Sequence, residues 1–220
     1  MSLRIAHFSD IHLTVSPLRL SKRDWIGKSS AGWLNAKMGR GRHFLDASNI
    51  AGVMATDIKA RHFDHVIFSG DATTIGLTME FEEVRRVLQP DDGWPPRLAV
   101  PGNHDYYTYR AVRRGEFERV FASWQHGDRI DGHLYPFVQR VGPLWLVAVN
   151  SAQANLFVWD SRGRVGRHQR RVGGLRHIGV LPGDKHTAGW VGRRRFDSDG
   201  TMGAGCSRRE RCRVRTRRLD

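Results

Sequence analysis

Residues 3–12 read LRIAHFSDIH, an apolar run followed directly by a polar cluster. The run at 3–8 has the length and apolar content of a strand, and the polar residues after it end that strand. Two later stretches repeat this arrangement, HVIFSGDATT at 65–74 and RLAVPGNHD at 97–105. Such short apolar runs are typical of strands in a buried sheet.

Helical patterns separate the three predicted strands. The first helix is predicted over 44–61 and the second over 79–88. In the first, the apolar residues at helical spacing are Leu45, Ile50, Val53, Met54 and Ile58. The order strand, helix, strand, helix, strand predicts an α/β fold. In open α/β sheets ligands lie beyond the carboxyl ends of the strands, so the three polar clusters are expected to meet there.

Two later segments extend the predicted domain. Residues 116–124 are predicted to form a short helix, and 134–141 pairs with 144–150 in a predicted hairpin. Beyond residue 165 the apolar periodicity fades. We therefore predict one domain over residues 1–165.

A long loop rich in Ser, Gly, Lys and Arg is predicted over residues 15–42. It contains Trp25 and Trp33. These rings either belong to a cap over the substrate or cover the edge of the core, and the second role is the commoner one for tryptophan.

The positive charge of the chain is concentrated after residue 160. The net charge is +14, yet residues 1–160 hold 19 basic and 17 acidic side chains, whereas 161–220 hold 17 and 5. The segment 166–220 is rich in Arg and Gly and poor in apolar residues, which predicts a disordered tail. The same composition fits a shifted reading frame in a GC-rich gene, so a frameshift near codon 165 is a second hypothesis.

The first polar cluster, Ser9-Asp10-Ile11-His12, carries a metal-binding pattern. In an extended segment residues two apart point to the same side, so Asp10 and His12 could bind one cation together. A carboxylate with a neutral imidazole suits a borderline divalent ion such as manganese, iron or zinc. This spacing alone is common in proteins.

The other two clusters add a carboxylate, an amide and an imidazole. Gly70 permits close backbone approach, and the two oxygens of Asp71 could bridge two cations, although Asp71 alone fits a turn or helix cap better. Asn103 offers an amide oxygen and His104 an imidazole. A Gly-Asn-His-Asp turn directly after a buried strand is the most specific of the three signals.

The order Asp-x-His at 10–12, Gly-Asp at 70–71 and Gly-Asn-His-Asp at 102–105 resembles the calcineurin-like metallophosphoesterase superfamily. Within it, the bacterial cyclic-nucleotide phosphodiesterase-like members are the most similar. The resemblance covers residues 3 to about 160. It implies an α/β sandwich of two mixed β-sheets flanked by helices, here incomplete at the C-terminus, and a two-metal site that hydrolyses phosphate mono- or diesters.

The resemblance also implies which residues hold the metals. Asp10 and His12 would bind the first metal, Asp71 would bridge the two, and Asn103 would bind the second. A hydroxide held between the metals would attack phosphorus in line, while the cations neutralise the phosphoryl oxygens. The substrate would be a small phosphate ester.

Two further residues would act on the substrate side of the site. By the same resemblance, His104 would face the phosphate and stabilise or protonate the leaving oxygen, and Asp105 would orient His104. The tyrosines that follow, Tyr106, Tyr107 and Tyr109, could stack a nucleobase at the rim or pack against the sheet edge.

The sequence departs from the family pattern after the hairpin. The family completes its site with a further histidine and a Gly-His-x-His turn, and this sequence has no such turn. His168, His177 and His186 occur in basic, aperiodic sequence and are predicted to be solvated. We therefore expect a phosphoesterase fold with impaired turnover. The alternatives are a catalytically inactive truncated relative and, in a different class, a nucleic-acid-binding protein that uses its basic tail.

The remaining composition bounds location and partners. No apolar segment approaches the roughly 20 residues needed to cross a bilayer, and no apolar leader precedes the first strand, so a cytoplasmic protein is expected. Cys206 and Cys212 lack the partners of a zinc site. Nucleic acid would bind the tail only non-specifically, because aromatic side chains are not interleaved with the arginines. Substrate identity, metal identity and oligomeric state stay open.

Overall fold

The computed structural model describes residues 3–15, 46–129, 132–155, 157 and 160–172. Within these residues the chain forms six strands and five α-helices, with one 3₁₀ turn at Ala122–Trp124. The strands are β1 Ile5–Phe8, β2 His65–Phe68, β3 Arg97–Ala99, β4 Asp128–Arg129, β5 Phe137–Val141 and β6 Leu144–Ala148. The helices are α1 Ala47–Ala60, α2 Thr78–Leu88, α3 Tyr109–Arg114, α4 Glu116–Val120 and α5 Arg167–Val172.

The first three strands form a parallel sheet in the order β1-β2-β3. Successive side chains of a strand point to opposite faces, so β2 contributes to two cores. Val66 and Phe68 pack with apolar residues of α1, α2 and α4 on one face. Ile67 packs with Leu98 of β3 on the other face. The continuous apolar run of β2 therefore reflects burial on both sides.

The last three strands form an antiparallel sheet in the order β4-β5-β6. Its inner face, with Phe137 and Leu146, packs against Leu98 of the parallel sheet. The two sheets are also joined by a hydrogen bond between His65 Nε2 and Gln139 Oε1, 2.7 Å apart. The predicted fold of two sheets flanked by helices is confirmed.

The apolar face predicted for the first helix is only partly the observed one, because Ile58 is buried and Met54 packs against the core while two other predicted residues are exposed. Ile50 and Val53 are 65% and 71% exposed, whereas Ala51, Ala55 and Ile58 are the buried residues of α1. The small alanine side chains allow the helix to lie close to its neighbours. Helical spacing alone was compatible with either face.

Three short elements were not predicted. The sequence of α3, YRAVRR, has no apolar stripe, and Ala111 is its one buried residue. The hydroxyl of Thr108 caps this helix by accepting a hydrogen bond from the N–H of Ala111. β4 has only two residues, both exposed. α5 begins at Arg167, where the fading apolar periodicity predicted no helix.

Several predictions fall on residues outside the described part of the chain. These are the loop with Trp25 and Trp33, the tail beyond residue 172, and the cysteines Cys206 and Cys212. Among the described helices, none has the length and apolar content needed to cross a membrane.

Candidate metal centre

The carboxyl ends of β1 and β2 place the first two polar clusters side by side. The N–H of Asp10 donates to the carbonyl of Gly70, and the N–H of His12 donates to the carbonyl of Asp71, both at 3.0 Å. The ladder continues with the N–H of Leu13 on the carbonyl of Ala72 at 2.8 Å. The parallel topology thus produces the predicted meeting of Asp-x-His with Gly-Asp.

Three of the predicted ligands have left-handed backbone conformations. The φ angles are 58° at Asp10, 44° at His12 and 57° at Asp71. Such conformations cost energy in residues that carry a Cβ, and they cluster at functional sites. Asp10 and His12 therefore do not face each other along an extended strand; their left-handed backbone instead leaves Asp10 Oδ1 and His12 Nε2 3.6 Å apart.

The second and third clusters approach so closely that glycine is required on both sides. A Cβ added to Gly70, whose φ is 97°, would lie 2.1 Å from the backbone nitrogen of Gly102. A Cβ added to Gly102 would lie 2.1 Å from Asp71 Oδ1. These two glycines allow the loop that carries His104 to reach the carboxylate of Asp71.

The buried carboxylate of Asp105 joins the same two loops. Its Oδ2 accepts from the N–H groups of Asp71 at 2.9 Å and Gly102 at 3.0 Å, and its Oδ1 accepts from the N–H and hydroxyl of Thr73, each at 3.1 Å. Burial and the neighbouring Asp71 raise the pKa of Asp105 to about 8, and the hydrogen bonds limit that rise. The contact differs from the expected one, because this carboxylate holds backbone around Asp71 rather than the His104 ring.

Backbone carbonyls fix the tautomers of both imidazoles. His104 Nδ1 lies 2.6 Å from the carbonyl oxygen of Thr74, and His12 Nδ1 lies 3.3 Å from that of Thr73. A carbonyl oxygen only accepts hydrogen bonds, so each Nδ1 carries the proton. With Nδ1 held at a carbonyl oxygen, Nε2 is the atom of each ring that would bind a metal.

His12, Asp71 and His104 form a cluster of candidate ligands. One ligand atom from each of them lies within 4.8 Å of the other two. The rings of His12 and His104 meet edge to face with centroids 4.7 Å apart, and the N–H of His104 donates to Asp71 Oδ1 at 2.8 Å. The family resemblance assigns His104 to the substrate alone, whereas its position makes it a candidate ligand too.

The electrostatics of this cluster favour a cation. Burial lowers the pKa of His12, and the nearby His104 lowers it further, so His12 stays neutral. Burial raises the pKa of Asp71, because its charge is poorly solvated there. Two imidazoles with one carboxylate suit a borderline divalent ion, so the residues present fit the predicted metal.

Two predicted ligands lie beside this cluster. Asp10 lies beside His12, with its Oδ1 3.6 Å from Nε2 of that ring. Asn103 is half-buried in the turn next to His104. Their assignment as ligands, and that of Asp105 as a catalytic residue, stays a prediction.

A second histidine pair lies elsewhere in the fold. His168 of α5 was predicted to be solvated, but it is half-buried and its ring centroid lies 3.8 Å from that of His133. Its Nε2 is buried without a hydrogen-bond partner among the described residues. Only the cluster of His12, Asp71 and His104 brings three such ligands together in the described residues.

Comparison with known proteins agrees with this geometry. The family model of the calcineurin-like phosphoesterases matches residues 3–187. This span contains all three polar clusters and extends past residue 165, so the predicted domain boundary stays a prediction. No curated protein sequence is significantly similar to the chain.

Proposed function

Because the chain belongs to the calcineurin-like phosphoesterase family, we propose that it hydrolyses a phosphate mono- or diester with the help of divalent cations. The observation that supports this most strongly is the convergence of His12, Asp71 and His104 within 4.8 Å. These residues come from three loops that are far apart in the sequence. The family implies a small phosphate ester as the substrate.

The residues of the cluster have distinct roles in this proposal. Asp71 and the Nε2 atoms of His12 and His104 would hold a manganese, iron or zinc ion. A bound divalent cation supplies a Lewis acid that polarises phosphoryl oxygens and activates water. The carbonyls of Thr73 and Thr74 keep the two imidazoles in the required tautomer. No covalent nucleophile from the protein is required.

The residues around the cluster would complete the site. Asp10 lies close enough to share the cation of His12, and Asn103 lies in the turn where a second cation would be held. Asp105 keeps Asp71 in place through the backbone. A second metal, and a role for His104 at the leaving oxygen, are part of the proposal.

We also propose that turnover is impaired. The sequence lacks the Gly-His-x-His turn that the resemblance calls for, and the candidate cluster of the described residues offers three donors. Losing groups that merely support metal ligands typically costs 10- to 100-fold in affinity or activity. Losing imidazole ligands should cost more.

Hydrolysis of bis(p-nitrophenyl) phosphate tests the proposed activity. The full chain, freed of metal and then supplied with Mn²⁺, should release p-nitrophenol, and Asp71→Asn should not. Asp57→Asn is the matched control, because Asp57 is 54% exposed on α1 and pairs with Arg61. Equal hydrolysis by wild type and Asp71→Asn would refute the activity. Turnover within tenfold of a relative with the complete ligand set would refute the impairment.

The alternatives predict different results. A catalytically inactive relative would bind at most one loosely held ion and show no hydrolysis above that of Asp71→Asn. A nucleic-acid-binding protein would lose tight, sequence-selective binding when residues 168–220 are deleted. A cytoplasmic location and a frameshift near codon 165 also stay predictions.

A further inference from the structure

We infer that Tyr107 and Glu80 are positioning residues, which hold the imidazole of His104 in its Nδ1–H tautomer through the loop at residues 73–77. The inference rests on the proposed function, since it concerns a ligand of the proposed metal site. Neither residue belongs to the motifs that carry the family resemblance.

The His104 ring is held on three sides. Its Nδ1 lies 2.6 Å from the carbonyl of Thr74. Tyr107 stacks on the ring with centroids 6.0 Å apart and planes 18° apart. His12 meets it edge to face. The direction of Nε2 therefore depends on Thr74 and Tyr107 as well as on the backbone of His104.

Tyr107 connects His104 to the 73–77 loop. Its ring is 8% exposed and packs in a small apolar cluster with Ile75 and Leu77. The same loop also presses on the backbone of the third cluster. A Cβ added to Gly76 would lie 3.0 Å from the carbonyl oxygen of Asp105. A displacement of this loop would therefore move both the Thr74 carbonyl and the Tyr107 ring.

The carboxylate of Glu80 holds the 73–77 loop in place through hydrogen bonds to its backbone. It is only 1% exposed, and its Oε2 accepts from the N–H of Ile75 at 3.0 Å and of Leu77 at 3.1 Å. Without this acceptor two buried N–H groups would be unpaired, and the loop would have to move to satisfy them. A buried carboxylate in the first turn of α2 thus supports the carbonyl that orients His104.

The expected consequence is a loss of metal affinity without a change of metal ligand. Removing groups that orient a ligating imidazole typically weakens metal binding 10- to 100-fold. Tyr107→Leu removes the stacked ring, and Glu80→Ala removes the acceptor. Tyr107→Phe keeps the ring and Glu80→Gln keeps an acceptor oxygen, so both should retain affinity near that of the wild type.

Two controls separate positioning from general destabilisation. Tyr109→Leu changes a tyrosine two residues away that is 56% exposed. Glu116→Ala removes a buried carboxylate of α4 that accepts from the hydroxyl of Thr78 at 2.9 Å and from Arg119. Glu116→Ala should lower stability in urea as Glu80→Ala does, and it should leave metal affinity unchanged.

The test combines Mn²⁺ titration calorimetry with imidazole ¹⁵N NMR of the metal-free full chain. We expect 10- to 100-fold weaker Mn²⁺ binding in Tyr107→Leu and Glu80→Ala, and a His104 signal that changes from the Nδ1–H tautomer to a mixture. Unchanged affinity and tautomer in these variants, or an equal loss in Glu116→Ala, would overturn the inference. If the wild type binds no Mn²⁺, the proposed function is refuted. The ¹⁵N signal of His104 would still test the role of Tyr107 and Glu80.

Discussion

Replacing Glu80 by glutamine should make the protein more stable at high pH than the wild type is. Burial raises the pKa of Glu80 to about 7, and the hydrogen bonds from Ile75 and Leu77 limit the rise. Between pH 4.5 and 7 the folded chain keeps this proton and the unfolded chain releases it. The folded state binds more protons in that window, so the free energy of unfolding falls as pH rises.

The magnitude follows from the two pKa values. The span from 4.5 to about 7, at about 1.4 kcal/mol per pH unit, gives about 3 kcal/mol. Glutamine keeps an oxygen for the loop N–H groups and carries no charge to be buried. The stability of Glu80→Gln relative to the wild type should therefore increase by about 3 kcal/mol between pH 4.5 and pH 8.

Urea unfolding at a series of pH values measures this difference. Other titrating groups, including Asp105, are common to both proteins and cancel in the comparison. Glu82→Gln, on the exposed face of the same helix, is the matched control for replacing a carboxylate by an amide. A difference between Glu80→Gln and the wild type that is independent of pH, or that reverses in sign, would refute the reasoning.

Three shorter predictions concern the site and the tail. In urea unfolding, Gly70→Ala should lower the free energy of unfolding by about 3 kcal/mol, because its Cβ would meet Gly102. The control Gly132→Ala, whose Cβ would have nothing within 4 Å, should lower it by about 1 kcal/mol. Mn²⁺ at a hundred times its Kd should stabilise the wild type by about 2.7 kcal/mol, a gain that EDTA removes and that Asp71→Asn lacks in thermal unfolding. Resequencing the gene should reveal a Gly-His-x-His turn in another frame beyond codon 165, and its absence from both frames would end the frameshift hypothesis.

The parallel sheet was predictable because its strands carry a strong local signal. The apolar runs at β1 and β2 stop abruptly at polar residues, and the carboxyl ends of parallel strands lie at one edge. Placing Asp10 and Asp71 in one region needed nothing more than strand order. The apolar face of α1 was not predictable, since Ala51 and Ala55 become core residues only through the partners that they meet.

The fine structure of the site depends on contacts between loops, which no local pattern specifies. The family resemblance implies that Asp105 orients the His104 ring. The turn instead directs its carboxylate to the N–H groups of Asp71 and Gly102. The carbonyls of Thr73 and Thr74 orient the two imidazoles. In the sequence, these residues are marked only by their position just after Asp71.

The most direct measurement is the anomalous difference density of a crystal of the full chain soaked in Mn²⁺. The account predicts a peak for a manganese ion that is coordinated by Nε2 of His12, Nε2 of His104 and the carboxylate of Asp71. A manganese peak elsewhere, with these three side chains bound to no ion, would contradict it.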